Sequence, residues 1–256
     1  MGKWIRRILM IILLVVFLVS GGSIAYTLMQ YHISAELYST LADSFTATAA
    51  AVPEDSELIC APIVVDFDAL CADNPDVVGW IYCEDTVINY PVMQGDDNDL
   101  YLHHSYDGAY STSGSIFVDA SNRPGFVDAN NILYGHHMKN GSMFASLDYW
   151  ADQSYYEEHP VMWLLTPDGD YRIDLVAGYT TSAYSDVYTI YTGPGQAFTE
   201  YLATAVAQSD FTSNVQADEN ANYVVMSTCA YVFTNARYVI HGMLVPVDST
   251  GGVLPE

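Results

Sequence analysis

Three side chains in this sequence have the types and the spacing for thiol chemistry. Cys229 follows an apolar run, His136 follows another run that ends at Tyr134, and Arg237 begins a third run eight positions after the cysteine. A thiolate is a strong nucleophile, but a thiol of ordinary pKa is mostly protonated near neutral pH and needs an imidazole or a cation beside it. The set therefore indicates nucleophilic catalysis by a cysteine, provided that the fold brings the three together.

Each of these residues also has an ordinary interpretation. Cys229 would serve equally as a small buried hydrophobe, and Arg237 as a surface charge. His137 competes with His136, because adjacent residues of a strand face opposite ways and only one of the two can face the thiol. Two strands joined by the loop between Cys229 and Arg237 can form a hairpin, which brings the guanidinium back beside the sulfur.

The elements that must hold these side chains are predominantly β-strands. About eight short runs are rich in β-branched and aromatic residues and are separated by turn residues. This pattern predicts a mainly β fold with flanking helices, built on a closed or nearly closed eight-stranded barrel. The strands are predicted at 77–82, 87–92, 115–118, 131–134, 161–165, 171–179, 223–227 and 238–247. Helices are predicted at 66–72, 143–150, 151–158 and 195–208, the last as an insert before the strand that precedes Cys229.

The N-terminal segment predicts a membrane anchor. Residues 1–7 are short and basic, and the apolar stretch at 8–30 is long enough to cross a bilayer as a helix. Basic residues before this stretch and none just after it predict a cytoplasmic N-terminus and an extracytoplasmic remainder. A cleaved signal peptide is the alternative, because 8–19 has the length of its apolar region and 23–25 resembles a cleavage site. Either way, the rest of the chain lies outside the cytoplasm.

The remaining boundaries follow from composition. Residues 31–62 read as a juxtamembrane helix or stalk followed by a proline-bounded acidic linker from 53. The catalytic domain is expected at 63–247, and a polar, frayed tail at 248–256.

Charge excludes one class of partner. The sequence has 7 Lys and Arg against 31 Asp and Glu, and only four basic residues follow the anchor: Arg123, Lys139, Arg172 and Arg237. Such a surface repels phosphate backbones, so no nucleic acid is expected, and it disfavours docking on anionic lipid head groups. The scarcity of cations also weakens the interpretation of Arg237 as a chance surface charge.

Neither a metal nor another cofactor is expected. The acidic run at 96–99 lacks the ligand spacing and the central glycine of an EF-hand loop. The spacings C-x₂-C and H-x₃-H, which are typical of zinc sites, do not occur. Four cysteines in an extracytoplasmic chain invite disulfides. The sequence leaves open one bridge among Cys60, Cys71 and Cys83, or none.

Several segments together resemble the sortases. VVMSTCAYVFTNARYVIHG at 224–242 is similar to the Cys-to-Arg signature of that family, with Val225 where the commonest signature has Thr. NILYGHHMKNGSMF at 131–144 looks like its histidine segment, in which the Y-G-H position favours His136 over His137. NPDVVGWI at 74–81, INYPVMQ at 88–94, DNDLYLHH at 97–104 and the insert at 195–208 resemble class B sortases in particular. The resemblance covers about 66–247.

The resemblance implies a reaction and roles for individual residues. Sortases cut a C-terminal sorting motif of a secreted protein and join the new carboxyl end to an amine. Cys229 would attack the carbonyl of the motif's Thr to form a thioester, His136 would act as general acid and then general base, and Arg237 would stabilise the oxyanion. Class B substrate contacts carry over to Asn98, Leu102, Tyr134 and Ser227, with Tyr188 expected on the groove wall.

The implied partners are a secreted protein with a C-terminal sorting motif and an amine from a peptidoglycan precursor or a pilin. The implied location is the cell membrane of a Gram-positive type of cell surface, held by the N-terminal helix. Two other functions compete with this one. A plain cysteine endopeptidase would let water complete the reaction, and a non-catalytic surface-binding β-barrel would keep Cys229 as a structural residue.

Overall fold

The computed structural model describes residues 2–50 and 59–248. A single helix, α1 (Lys3–Phe45), contains both the predicted anchor and most of the predicted juxtamembrane segment. It has 43 residues, which corresponds to about 65 Å at 1.5 Å per residue. By length and composition its apolar part could cross a membrane, a property that a signal sequence near an N-terminus shares.

The C-terminal end of α1 packs on the rest of the fold. Tyr38 is buried, and its hydroxyl donates to the carbonyl of Gly114 at 2.6 Å. The hydroxyls of Ser34 and Ser111 are 3.2 Å apart. These contacts hold the predicted juxtamembrane part of the helix directly against the globular part of the protein.

A small sheet replaces the end of the predicted stalk. Residues of β1 (Thr46–Thr48) pair antiparallel with β2 (Ile63–Val65). The sequence-based expectation of a helix or stalk is therefore wrong for 46–48, because pairing with a distant strand outweighs the Ala- and Thr-rich local composition. Residues 53–58 of the predicted linker and all but the first residue of the predicted tail lie outside the described residues.

Eight strands form a closed barrel, as the sequence predicts. The order around it is β10-β8-β7-β3-β4-β5-β6-β9, and neighbours are antiparallel except for β4 with β5 and β6 with β9. Every predicted strand is present, with ends shifted by a few residues. The strands are β3 (Val77–Tyr82), β4 (Asn89–Met93), β5 (Ile116–Val118), β6 (Asn130–Tyr134), β7 (Val161–Thr166), β8 (Gly169–Ser182), β9 (Tyr223–Cys229) and β10 (Ala236–Val247).

One short helix precedes the first barrel strand, and the others lie in the connections between the barrel strands. The side chain of Asp66 accepts from the backbone N–H of Ala69 and caps the helix after it. One predicted helix is a 3₁₀ helix instead, and α3 was not predicted at all. The helices are α2 (Phe67–Asp73), α3 (Leu100–His103), a 3₁₀ helix (Ala145–Ala151), α4 (Gln153–Glu158), a second 3₁₀ helix (Asp186–Tyr188) and α5 (Gln196–Gln208).

Alternation along β9 separates two cores. Val224 and Met226 belong to the larger core, which draws side chains from all eight barrel strands. Tyr223 and Val225 belong to a second core, which α5 covers from outside. Successive side chains of a strand point to opposite faces, so every second residue shares a face. Cys229, four residues after Val225, therefore lies on the same outer face as Val225.

A buried histidine joins α5 to the barrel wall. His241 on β10 is fully buried and shares a hydrogen bond of 2.6 Å with the hydroxyl of Tyr201 on α5. Its ring also stacks on Tyr179 of β8, with centroids 5.4 Å apart. Burial lowers the pKa of His241 to about 3, so the imidazole is neutral in the folded protein at any ordinary pH.

We expect this histidine to make the fold acid-sensitive. The unfolded state takes up the proton near pH 6.5 and the folded state only near pH 3, so unfolding is favoured as pH falls through this window. Within this window the free energy of unfolding falls by about 1.4 kcal/mol for each unit of decrease in pH. Replacing His241→Gln keeps a hydrogen-bond partner for Tyr201 and should reduce the fall in thermal midpoint between pH 7 and pH 5, measured on the full chain in detergent. Equal falls in wild type and variant would contradict this assignment.

Candidate active site

Strand register brings the three candidate catalytic residues to one level. The parallel pair of β6 and β9 ends with Tyr134 opposite Ser227. His136 and Cys229 each come two residues after that pair. On the other side of β9, Arg237 of β10 lies directly opposite Cys229. Histidine, cysteine and arginine therefore stand side by side at the ends of three neighbouring strands.

Cys229 and Arg237 are both half-buried. The Nη1 of Arg237 donates to the carbonyl of Ala236 at 3.0 Å. Within 2–50 and 59–248, Arg237 has no ion pair with a carboxylate. Its charge is therefore available to an oxygen of a bound ligand beside the thiol.

Local packing fixes the position of His136. A Cβ on Gly135 would lie 2.5 Å from Ile116 and 2.7 Å from Phe144, so only glycine fits before the histidine. The N–H of Gly135 donates to the carbonyl of Ser227 at 3.1 Å, which ties this segment to the strand of the cysteine.

One ring nitrogen of His136 is engaged in a hydrogen bond to the backbone. Its Nε2 is 2.8 Å from the carbonyl oxygen of Leu102. A carbonyl only accepts hydrogen bonds, so Nε2 carries a proton and Nδ1 is the atom that can exchange one. Leu102, expected as a substrate contact, thus also holds the histidine through its backbone.

His137 has different surroundings. Its Nε2 lies 3.2 Å from the carboxylate of Asp148. Its ring meets Tyr231 edge-on, with centroids 5.3 Å apart. Of the two histidines, His136 is the one whose backbone position is level with Cys229, while His137 is paired with a carboxylate.

Three of the expected substrate contacts form a wall beside the thiol. The hydroxyls of Tyr188 and Ser227 are 2.8 Å apart, and the ring of Tyr188 stacks on Tyr134 with centroids 6.2 Å apart. Burial raises the pKa of the Tyr188 hydroxyl, an effect opposed by the bond to Ser227 and by the nearby charge of Arg237. Burial also raises the pKa of Tyr134, so both tyrosines present neutral hydroxyls.

Asn98 joins this wall through a residue that the sequence argument missed. Its Nδ2 donates to the carboxylate of Asp119 at 2.9 Å, and the hydroxyl of Tyr134 donates to the same oxygen. Asp119 directly follows β5, and an acid at the end of an apolar strand is the only sequence signal that marks it. With Leu102 at the histidine, all eight residues expected from sequence lie in one connected region.

Neither the other cysteines nor the acidic run around Asp97 shows competing chemistry in the described part of the chain. All four cysteines are free thiols; burial raises the pKa of Cys83 to about 12. Asp97 accepts from the backbone N–H groups of Asp99 and Leu100, at 2.9 Å each. The described residues contain no cluster of three His, Cys, Asp or Glu side chains suited to a metal ion.

Comparison with known proteins decides the family. A model of the Sortase domain matches residues 81–245. The chain belongs to the sortase family. Sortase B of Listeria monocytogenes is 34% identical over 247 residues, which are 95% of this chain and 98% of the relative.

Solved structures agree with this assignment. The sortase B–substrate complex of Staphylococcus aureus is 30% identical, with a TM-score of 0.67 over 71% of this chain and 85% of that one. A structure of sortase B complexed with triglycine is 31% identical, with a TM-score of 0.67 over 71% and 86% of the two chains. As a class B sortase, the protein is a cysteine transpeptidase with the closed mixed barrel described above.

Proposed function

We propose that this sortase cleaves a C-terminal sorting motif of secreted proteins through a thioester on Cys229 and transfers the acyl group to an amine. The observation that carries the proposal is the shared level of His136, Cys229 and Arg237 on three adjacent strands. A nucleophile, an acid–base group and an unpaired cation in one row are the parts that acyl transfer needs.

The chemistry divides into two halves. The thiolate of Cys229 attacks the Thr carbonyl of the motif, and the tetrahedral intermediate collapses with cleavage of the C–N bond. A proton from Nδ1 of His136 goes to the leaving amine, so a thioester and a free peptide amine result. In the second half, Nδ1 takes a proton from the incoming amine, which attacks the thioester and releases Cys229 as thiolate.

Arg237 assists both halves. The carbonyl oxygen becomes negatively charged in each tetrahedral intermediate, and the guanidinium stays cationic at any working pH. Its position opposite Cys229 and its lack of a carboxylate partner in the described part of the chain support this role.

We assign the recognition of the sorting motif to the wall beside the thiol. Tyr134, Tyr188 and Ser227 contact one another next to Cys229, and Asn98 and Leu102 extend the wall past His136. The substrate complex of the Staphylococcus aureus relative supports a peptide-binding groove in this fold. The specific side-chain contacts are part of the proposal.

The location and the acceptor complete the proposal. Helix α1 anchors the chain, with Lys3, Arg6 and Arg7 on the cytoplasmic side and the barrel outside a Gram-positive type of membrane. The acceptor is an amine of a peptidoglycan precursor or of a pilin. The relative complexed with triglycine supports an acceptor that is a peptide amine.

The test uses the full-length chain in detergent with internally quenched peptides that share a central Thr. Intact mass is read with and without triglycine as the amine. An acyl-sized adduct that triglycine converts to a ligated peptide would support transpeptidation. Cleavage that triglycine cannot divert would indicate an endopeptidase. No cleavage, together with a thiol that resists alkylation, would indicate a binding module.

Replacing Arg237→Lys should lower kcat/KM for peptide cleavage about 10²-fold, in the range of losing one oxyanion donor. Lysine keeps the charge but lacks the planar guanidinium, whose several N–H donors have a fixed geometry. Arg172→Lys is the matched control, because Arg172 binds Asp174 away from the site. A value for Arg237→Lys within twofold of that control would remove Arg237 from the mechanism.

A further inference from the structure

Asp119 is buried, and within the described part of the chain its carboxylate accepts hydrogen bonds only from residues of the site wall and from its own loop. It is 8% exposed. Its Oδ2 accepts from the hydroxyl of Tyr134 and from Nδ2 of Asn98, both at 2.9 Å. Its Oδ1 accepts from the backbone N–H of Ser121 at 2.8 Å. Both oxygens are thus occupied, and the side chain has one orientation.

The bond to Asp119 fixes what Tyr134 offers to a ligand. Burial raises the pKa of this hydroxyl above its usual value, and the charge of Asp119 raises it further, so the group is neutral. Its single proton is committed to the carboxylate. Towards a ligand the oxygen can therefore only accept, and the ring is held parallel to Tyr188.

The amide of Asn98 is fixed in the same way. Its Nδ2 donates to Asp119, while its Oδ1 accepts from the backbone N–H of Ala120 at 2.8 Å. These two bonds exclude a flipped amide. The exposed side chain keeps one free N–H and one free lone pair, the complement of a single peptide unit.

We propose that Asp119 is a positioning residue for the acyl donor: by holding Tyr134 and Asn98 in one orientation, it sets the hydrogen-bonding pattern that an extended peptide meets on its way to Cys229. This inference rests on the proposed function, because it needs a peptide to bind along this wall. Among the described residues, Asp119 has no hydrogen bond to Cys229, His136 or Arg237. Its effect should therefore appear in substrate binding and not in the chemical step.

An asparagine at this position cannot reproduce the bonds. If its oxygen replaces Oδ2, its NH₂ group faces the N–H of Ser121. If it is turned the other way, its NH₂ group faces the NH₂ group of Asn98. Either orientation sets two donors against each other, so the substitution keeps the shape of the side chain and breaks the pattern.

The experiment measures steady-state kinetics of the full-length chain in detergent, with the quenched peptide that acylates the wild type best and with triglycine. Asp119→Asn should raise KM for the peptide about tenfold, with kcat and the KM for triglycine within twofold of wild type. In a Tyr134→Phe/Asn98→Ala background, Asp119→Asn should have no further effect on KM. Asp174→Asn, which removes a buried carboxylate far from the wall, should match wild type.

Three results would overturn the proposal: an unchanged KM in Asp119→Asn, a loss confined to kcat, or an equal effect of Asp119→Asn in the wild-type and double-variant backgrounds. If Asp119→Asn does not fold, Asp119→Glu decides in its place: it keeps both acceptor oxygens but moves them by one methylene from Tyr134 and Asn98, so KM for the peptide should rise while kcat stays within twofold of wild type, and an unchanged KM would overturn the proposal. Failure of the proposed function is distinct, because then the wild type forms no acyl adduct with any peptide.

Discussion

Cys229→Ala should form no acyl adduct and should lose at least about 10⁴-fold in kcat/KM for transpeptidation, the scale of removing a catalytic nucleophile. The thiol is the attacking group and also the carrier of the acyl chain between the two halves of the reaction. Ser227, two residues earlier on the same face of β9, cannot replace it, because it is buried and its hydroxyl is bonded to Tyr188. Intact mass after incubation with peptide gives the result directly.

Cys71→Ala is the matched control for this loss. Cys71 is also a half-buried free thiol, but it lies on α2 with its Sγ against the carbonyl of Val77. Burial and the charge of Asp68 raise the pKa of Cys71, which lowers its reactivity. The control should keep both adduct and turnover. An adduct that survives Cys229→Ala and disappears in Cys71→Ala would show that the nucleophile is Cys71 on α2 and that its assignment to Cys229 is wrong.

The local part of the site was predictable from the sequence. The loop between Cys229 and Arg237 is short enough for a hairpin, and the observed pairing sets the two residues opposite each other. The alternation rule also predicted that only one of His136 and His137 can face the thiol, and resemblance to the family's histidine segment then favoured His136. These inferences succeed because hairpin register and side-chain alternation depend on a few neighbouring residues.

The non-local part was not predictable from residue patterns. The parallel pairing of β6 with β9 joins segments far apart in the chain, and no local rule specifies it. The contacts of Asp119 depend on that same assembly, because Tyr134 comes from another strand and Asn98 from another loop. The strand β1 was missed for the same reason, since its partner β2 lies beyond a long connection. The place of His136 beside Cys229 came from resemblance to sortases.

His136→Ala should lower kcat/KM for transpeptidation about 10³-fold, within the range for losing a general acid–base group. The loss should fall on kcat, because the leaving amine must depart without a proton from Nδ1 and no base takes up the proton that the incoming amine loses as it attacks. His137→Ala should lose less than about tenfold, because that ring is engaged by Asp148 and Tyr231 and lies on the other side of the chain. Stopped-time assays of ligated product, with triglycine saturating, separate the two variants.

Added imidazole sharpens the comparison. Removing the His136 side chain leaves a space beside the carbonyl of Leu102. In the wild type, the oxygen of this carbonyl accepts a hydrogen bond from Nε2 of His136. A free imidazole that enters this space regains a partner for one nitrogen and presents the other to the reacting amine. Imidazole should therefore raise the turnover of His136→Ala and leave that of His137→Ala unchanged. If His137→Ala were the more damaged variant, and the one that imidazole restores, the acid–base role would belong to His137 and the register argument for His136 would be wrong.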